Sequence, residues 1–377
     1  MNFSELNLIK PLVMALDNMG YNEPTPIQQQ SIPSIIKGKD IFGCAQTGTG
    51  KTAAFALPLL QLITHKKQFS NIGGIKALIL APTRELALQI SDSIMAYGRH
   101  LKVSHTTIFG GVSQHHQTKA LERGVDILVA TPGRLLDLMQ QGYVKLNTVE
   151  HFVLDEADRM LDMGFINDIR KIIAKLPAQK QTLFFSATAS TEIMKLANTL
   201  LSDPVKVSVD RVSSANESIA QQVYFVDKDK KRLLLKFVLS DHNIAHVLVF
   251  TRTKRGADRV AKDLNGSGIK AEAIHGDKSQ GARERALKGF KNRTIRVLVA
   301  TDIASRGIDV DKLSHVINYE LPEQAETYVH RIGRTGRAGS TGVAMSFCTR
   351  DEMGYLKDIT KLIKKTIDVV PAHPYVS

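Results

Sequence analysis

Two short stretches carry residue types that handle phosphate. The first is Ala45-Gln46-Thr47-Gly48-Thr49-Gly50-Lys51-Thr52, set between the apolar run of residues 41–44 and Ala53-Ala-Phe-Ala-Leu57. Its glycines let the backbone approach a polyphosphate, and N–H groups at a helix start point toward it. Lys51 supplies a cation for the outer phosphates, and Thr52 offers a hydroxyl to Mg²⁺. The usual loop opens with glycine, where this chain has Ala45. The plain alternative is a tight turn at a helix N-terminus. The second stretch is Asp155-Glu156-Ala157-Asp158, after the apolar residues 152–154. Ligands gather at the carboxyl ends of parallel strands, so Asp155 is placed to hold Mg²⁺ directly or through water. Glu156 is placed to orient or deprotonate an attacking water. Against this stands an acidic helix start favoured by the helix dipole. Together the two stretches point to hydrolysis of a nucleoside triphosphate.

The elements that must position these groups are legible as runs. Residues 76–81, 104–109, 126–130, 151–155 and 181–186 are continuous apolar, β-branched or aromatic stretches, alternating with helical segments. Strands buried on both faces of a parallel sheet read this way, and the alternation predicts an open α/β sheet. Around residues 203–218 the composition turns small and polar, which predicts a linker. A second series follows at 222–226, 246–250, 270–274, 296–300, 315–319 and 343–347, with no phosphate loop of its own, and a helix is expected over 352–363. Upstream, Leu8, Leu12 and Leu16 predict one helix over residues 4–19, capped at Ser4 or Asn7. Pro24 and Pro26 then predict a rigid loop reaching Gln28, with a helix over 27–36.

The chain has 377 residues, enough for two domains, and a net charge of +13. Residues 1–210 carry 21 basic and 18 acidic side chains, and residues 211–377 carry 29 and 19. The excess in the second half fits a polyanion partner as well as a solvated basic surface. No apolar run is long enough to span a membrane, and the N-terminus has no secretory pattern. A cytoplasmic protein is expected. Cys44 and Cys348 lack CxxC partners and read as small strand residues in a reducing compartment. His115 and His116 have no matching ligands nearby and read as solvated.

The ordered motifs resemble the DEAD-box RNA helicases over nearly the whole chain. Beside the phosphate loop and the Asp-Glu-Ala-Asp tetrad stand Pro82-Thr-Arg-Glu-Leu-Ala87, Gly110-Gly111, Thr131-Pro-Gly-Arg134 and Ser186-Ala-Thr188. The second half has Phe250-Thr-Arg252, His275-Gly-Asp277 with Gln280-Gly-Ala-Arg283, residues 300–309 and His330-Arg-Ile-Gly-Arg-Thr-Gly-Arg337. Residues 160–165 and 336–342 look most like the bacterial RhlE-type branch.

The resemblance implies two RecA-like parallel-sheet domains in tandem, the phosphate-loop NTPase architecture of helicase superfamily 2. It places an N-terminal helix and adenine-reading loop at 1–29, domain 1 at 30–209, a linker at 210–219 and domain 2 at 220–377. It implies ATP and Mg²⁺, with Ala45 a family mark. Gln28 has the donor and acceptor that suit the adenine edge, Tyr21 would stack on the base, and Phe3 would brace that loop. Asp309 would hold the ribose. Arg334 and Arg337, three apart and read as one face of a helix, would act as arginine fingers from domain 2; a surface pair is the alternative. Ser186 and Thr188 would link the metal side to His330, unless they form a local turn. RNA contacts fall to Thr83, Arg84, Gly110, Gly111, Thr131, Gly133 and Arg134, and to Arg252, Gly276, Gln280, Arg283, Thr301 and Asp302. Such groups suit phosphate and 2′-OH contacts, and with 6% aromatics and no Trp no base-stacking platform is seen. The expected activity is RNA-stimulated ATP hydrolysis coupled to local opening of short duplexes or RNA–protein remodelling, by a monomer. A DNA-translocating helicase and a non-hydrolysing RNA clamp are the alternatives. The chain ends soon after its second core, so targeting is expected from a partner, from the core surface or not at all, with ribosome assembly or RNA decay as the settings.

Overall fold

The computed structural model describes residues 2–45, 48–69, 73–209, 219–305, 313–336 and 342–376. The chain divides into two compact units, Met1–Arg211 and Val212–Ser377. The 210–219 linker lies outside the described residues except for Ile219, which opens a strand.

Unit 1 is built on seven strands: β1 (Ile41–Cys44), β2 (Ala77–Leu80), β3 (His105–Ile108), β4 (Ile127–Ala130), β5 (His151–Leu154), β6 (Gln181–Ser186) and β7 (Val205–Ser208). They lie in the order β3-β4-β2-β5-β6-β1-β7, all pairings parallel. β2, β4 and β6 are buried along their whole length, because helices cover both faces. Those helices are α1 (Lys10–Asn18), α2 (Pro26–Ile36), α3 (Lys51–Phe69), α4 (Arg84–Tyr97), α5 (His115–Glu122), α6 (Pro132–Gln140), α7 (Ala157–Asp162), α8 (Ile166–Ile173) and α9 (Thr191–Leu200). One apolar cluster packs α1–α4 on one face around Phe55 and Phe185; the other packs α6–α9 around Phe152 and Phe184.

Unit 2 repeats the plan with β8 (Ile219–Phe225), β9 (Val247–Thr251), β10 (Ala271–Ile274), β11 (Val297–Thr301), β12 (His315–Asn318), β13 (Gly342–Cys348) and β14 (Asp368–Val369). Their order is β10-β11-β9-β12-β13-β8-β14, again parallel. Its helices are α10 (Lys231–Leu239), α11 (Lys254–Gly266), α12 (Gln280–Lys291), α13 (Asp302–Ser305), α14 (Ala325–Ile332) and α15 (Met353–Ile363). No helix among the described residues is long and apolar enough to cross a membrane.

Two local expectations are corrected. The helix expected over 4–19 is broken into a 3₁₀ turn, Phe3–Leu6, and α1, whose N-cap is Ile9 rather than Ser4 or Asn7. Asn7 turns left-handed (φ 58°), and Pro11, which has no N–H to give, sits in the first turn of α1. Gln61 of α3 fixes the break, accepting from Ile9 N at 2.8 Å and donating to Asn7 O at 3.0 Å. Further on, α2 begins at Pro26 with Thr25 as N-cap, so Gln28 lies in a helix's first turn and not in the preceding loop.

Candidate nucleotide site and RNA-contact residues

All strands of unit 1 run parallel, so their carboxyl ends share one edge. The half of that edge formed by β5, β6 and β1 collects the candidate nucleotide residues. The loop leaving β1 first continues the ladder, with Ala45 N donating to Ser186 O at 3.0 Å; Ala45 is small and buried there. Gly48 and Gly50 then take positive φ (83° and 91°). A Cβ at Gly50 would be driven into the Gln28 amide and the Thr25 hydroxyl. Gln28 is buried, accepts from Thr25 N at 2.9 Å and donates to Gly50 O at 3.1 Å. It thus fastens the phosphate loop to the start of α2. Gln46 and Thr47 lie outside the described residues. Thr49 is half-buried, and Thr52, also half-buried, follows Lys51 at the start of α3. The buried Lys51 donates from Nζ to Ala45 O at 2.7 Å. Phe3 is buried edge-on to Tyr21 at 6.5 Å, and Tyr21 is 38% exposed with its other side toward Tyr97.

The Lys51 charge acts on two carboxylates, the buried Asp155 and the half-buried Asp158, with the buried Glu156 between them in sequence. Asp155 follows β5, and burial pushes its carboxyl up to about 7; Lys51 draws it down and Glu156 adds repulsion. Burial likewise raises Asp158, whose Oδ2 accepts from Ala187 N at 3.2 Å. Glu156 is held left-handed (φ 52°), with its N–H on Asp155 Oδ1 at 3.0 Å. Its carboxylate meets Arg159 Nη1 at 2.9 Å, and both groups are nearly buried. Arg159 escaped sequence reasoning, although its spacing of three from Glu156 at a helix start was the available signal. Ser186 is fully buried at the end of β6 and accepts from Thr188 N at 3.3 Å. Among the described residues no three His, Cys, Asp or Glu converge as a metal cage. Mg²⁺ takes one or two carboxylates and completes its shell with water and substrate phosphates. A buried Asp155 whose charge is costly fits such a cation.

The other half of the edge, β3-β4-β2, carries the remaining unit 1 candidates. Thr83 caps α4, its hydroxyl accepting from Leu86 N, and the Arg84 guanidinium lies 4.3 Å over the Phe109 ring. Gly110, Gly111 and Gly133 face open space. Thr131 is the N-cap of α6. Arg134 donates to Val112 O at 3.1 Å and lies 3.5 Å from Asp137.

In unit 2 the candidates follow β9, β10 and β11. Arg252 gives its N–H to Glu320 Oε2 at 2.7 Å, and its guanidinium lies 3.5 Å from Glu352 and over Tyr355. Gly276 follows β10, beside the Lys254 side chain, and Thr301 ends β11, buried. Gln280, at the start of α12, bonds Glu284, and Arg283 lies one turn on. Asp302 takes a two-pronged bond from the fully buried Arg331, at 2.6 and 2.8 Å. Arg331 also donates to Asn318 Oδ1 and Glu320 O and stacks on Phe250. It is a second residue that sequence reasoning passed over. His330 lies on α14, half-buried. The expected helical face for Arg334 and Arg337 is corrected: α14 stops at Ile332 with Gly333 as its C-cap, and Arg334 is buried in the turn beyond. Thr335 then leaves the turn into a bridge with Leu313, to whose carbonyl its hydroxyl donates. Arg337 and Asp309 lie outside the described residues.

The chain was compared with known families and proteins. Residues 25–196 match the DEAD/DEAH box helicase family, and residues 229–339 match the helicase conserved C-terminal domain. The DEAD-box ATP-dependent RNA helicase CshA of Bacillus cereus is 44% identical over 374 residues, which span 98% of this chain and 70% of that protein. The probable ATP-dependent RNA helicase ddx17 of Dictyostelium discoideum is 42% identical over 373 residues, 98% of this chain and 48% of that one. Among solved structures, S. cerevisiae Dbp5 bound to RNA and ADP BeF3 matches with a TM-score of 0.85 at 29% identity, covering 98% of this chain and 95% of that one. A DEAD box protein from Methanococcus jannaschii is 42% identical with a TM-score of 0.56, covering 98% and 99%. With its phosphate loop and carboxylate tetrad on one sheet edge and a relative this similar along nearly its full length, the chain belongs to the DEAD-box ATP-dependent RNA helicases.

Proposed function

We propose that this helicase runs an RNA-stimulated cycle of ATP hydrolysis that opens short duplexes locally or strips protein from RNA. The observation that carries the nucleotide half is the buried Lys51 of the phosphate loop, whose charge acts on Asp155 and Asp158. Lys51 and the loop N–H groups bind the triphosphate. Thr52 and Asp155 hold Mg²⁺, which when bound neutralises phosphate charge. Glu156, steadied by Arg159, orients the attacking water and takes its proton. Tyr21 packs on the adenine, Gln28 reads its edge, and Asp309 holds the ribose. Arg334 and Arg337 supply charge to the phosphoryl group in the transition state, so turnover waits on unit 2. Ser186, Thr188 and His330 relay the state of the metal side. These roles rest on the family match together with the chemistry of each side chain.

RNA is bound through its backbone by Thr83, Arg84, Gly110, Gly111, Thr131, Gly133 and Arg134, and by Arg252, Gly276, Gln280, Arg283 and Thr301. Binding is therefore sequence-tolerant and weakens with salt. The protein works as a cytoplasmic monomer, and its partners belong to ribosome assembly or RNA decay. Within the family, residues 160–165 and 336–342 favour the RhlE-type branch. A tree built from both core units tests that placement, and grouping with the CshA proteins overturns it. The function is tested by phosphate release with and without single-stranded RNA, alongside strand separation of a short duplex. Equal rates with and without RNA overturn coupling, and unwinding of long DNA restores the translocating alternative.

A further inference from the structure

Unit 2 holds a cleft of about 430 Å³ between α10 and α11, within the size range of small-molecule sites. None of its lining residues belongs to the candidate nucleotide or RNA set. Arg232 and Lys236 come from α10, Arg259, Lys262 and Asp263 from α11, and Tyr319 from the chain just after β12. Four of these six are cations. Lys236 and Asp263 pair across the two helices at 2.9 Å, both under a third exposed, and this pins the walls. Among the described residues, no carboxylate lies within ion-pair distance of Arg232, Arg259 or Lys262. Three solvent-exposed positive side chains thus line one cleft whose single lining carboxylate, Asp263, is already paired with Lys236, which leaves the cleft with an excess of positive charge.

The Tyr319 side is rigid. Its carbonyl is tied to Lys231 Nζ at 2.9 Å, and its ring meets Phe347 edge-on at 6.2 Å. Its hydroxyl is pushed up to about 12, chiefly by burial, with Glu320 and Asp263 adding and the Arg232 and Arg259 charges opposing. Arg232, Arg259 and Tyr319 line the same cleft. A fixed aromatic wall beside arginines suits a ligand with a flat body and a doubly charged phosphate, since guanidinium forks match phosphate oxygens.

We propose that the α10–α11 cleft binds a small phosphorylated molecule, its phosphate held by Arg232, Arg259 and Lys262 and its body laid against Tyr319. The site is separate from the phosphate loop, so it is measured on the full chain with ADP at saturation. Calorimetric titration uses uridine 5′-monophosphate, uridine and inorganic pyrophosphate as probes. The monophosphate is expected to bind with one-to-one stoichiometry and uridine about tenfold or more weaker. Arg232→Ala/Arg259→Ala loses about tenfold or more of the monophosphate affinity at unchanged ADP affinity. Lys262→Ala, an exposed change, gives a second variant with a loss of the same sign if the double variant folds poorly. Absence of saturable binding by both the monophosphate and pyrophosphate overturns the proposal. So does equal binding by wild type and variants. Loss of single-stranded RNA affinity in the variants, with neither phosphate probe bound, assigns the cleft to RNA and also overturns it.

Discussion

The two units lay their strands in the same order. In both, the third, fourth, second, fifth, sixth, first and seventh strands of the unit lie side by side. In both, the helix after the first strand opens on a buried lysine, Lys51 in α3 and Lys231 in α10. What each ammonium meets is different. Among the described residues Lys51 makes one hydrogen bond, to Ala45 O, and faces Asp155 beyond the fifth strand. Lys231 uses all three donors on Tyr319 O, Phe347 O and the buried Glu352 carboxylate. The residue after the fifth strand is here Tyr319, not an aspartate. One frame has thus been kept twice. Unit 1 leaves its lysine donors for a ligand, whereas unit 2 has closed the same position with its own ion pair.

The sharpest way to break that contrast is to remove both lysines. Lys51→Ala is expected to abolish nucleotide binding and ATP turnover while unit 1 stays folded, read by titration with labelled ATP and by thermal melting. Lys231→Ala removes the shortest ion pair of the Glu352 carboxylate, buried to 2% exposure and left with Arg252, the Leu321 and Thr349 N–H groups and the Thr349 hydroxyl, and should cost about 1–3 kcal/mol of stability. Its surviving folded fraction should still hydrolyse ATP. Replacing both partners, Lys231→Met with Glu352→Met, recovers only part of the loss, because the desolvation of the pair is removed but Tyr319 O and Phe347 O lose their donor and the Leu321 and Thr349 N–H groups lose their acceptor. A stable Lys231→Ala that cannot turn over would end the comparison.

The next contrast is between Glu156 and Glu320, which both stand two residues past the fifth strand of their unit. Glu156→Gln should lower ATP turnover by about 10²–10⁴ with RNA affinity kept, as expected for loss of a general base. Arg159→Met should act in the same direction and less. Glu320→Gln, which weakens the bond to Arg252 N and removes a charge near Lys231 and Tyr319, should leave turnover at saturating RNA near wild type. Single-turnover phosphate release separates the three. If Glu156→Gln leaves all RNA activities, strand separation included, unaltered despite the loss of turnover, the non-hydrolysing clamp is the better reading.

Asp302 tests a smaller difference, between groups on the strand edge that face a ligand and groups used internally. Its carboxylate is bound at both oxygens by Arg331. Asp302→Asn should destabilise unit 2 by about 2 kcal/mol and leave RNA affinity within about twofold. Lost RNA affinity at unchanged stability would instead support the RNA contact that the resemblance implies for Asp302.

The sequence made the sheets legible because strands buried on both faces are written as unbroken apolar runs; residues 126–130 and 296–300 became β4 and β11 within one residue. It hid β7 and β14, which are short, partly or fully exposed edge strands with no run to read. The phosphate loop and tetrad were legible because their chemistry demands local spacing. Arg331 was not, since its partners come from two separate segments, Asp302 after β11 and Asn318 with Glu320 at the end of β12. The same holds for the Lys231–Glu352 pair, 121 residues apart. Even Gln28, legible as a motif, turned out to be bonded to Thr25 and Gly50, which pattern alone did not foretell.

The smallest predicted effect compares two histidines that open equivalent strands, His151 on β5 and His315 on β12. His151 sits opposite Gln181 in the register, with Nδ1 2.9 Å from Gln181 Oε1. The Gln181 amide nitrogen already donates to Ile35 O and Lys39 O, so its oxygen must accept and His151 carries its proton on Nδ1. A neutral ring satisfies that arrangement. Burial lowers the His151 pKa from its ordinary 6.5, with the Gln181 bond and Glu150 opposing. The unfolded chain therefore binds a proton near that ordinary value while the folded ring does not. Stability from this group is full above that pH and falls as pH drops below it, by about 1.4 kcal/mol for each unit of depression. His315 is also lowered by burial but pairs only with the Ser314 hydroxyl at the surface. Thermal midpoints between about pH 7 and about pH 5.5 should fall in wild type. They should fall less in His151→Gln, with a smaller flattening in His315→Gln. A steeper acid loss in His151→Gln than in wild type would show that the ring is stabilised charged, and would reverse the assigned tautomer.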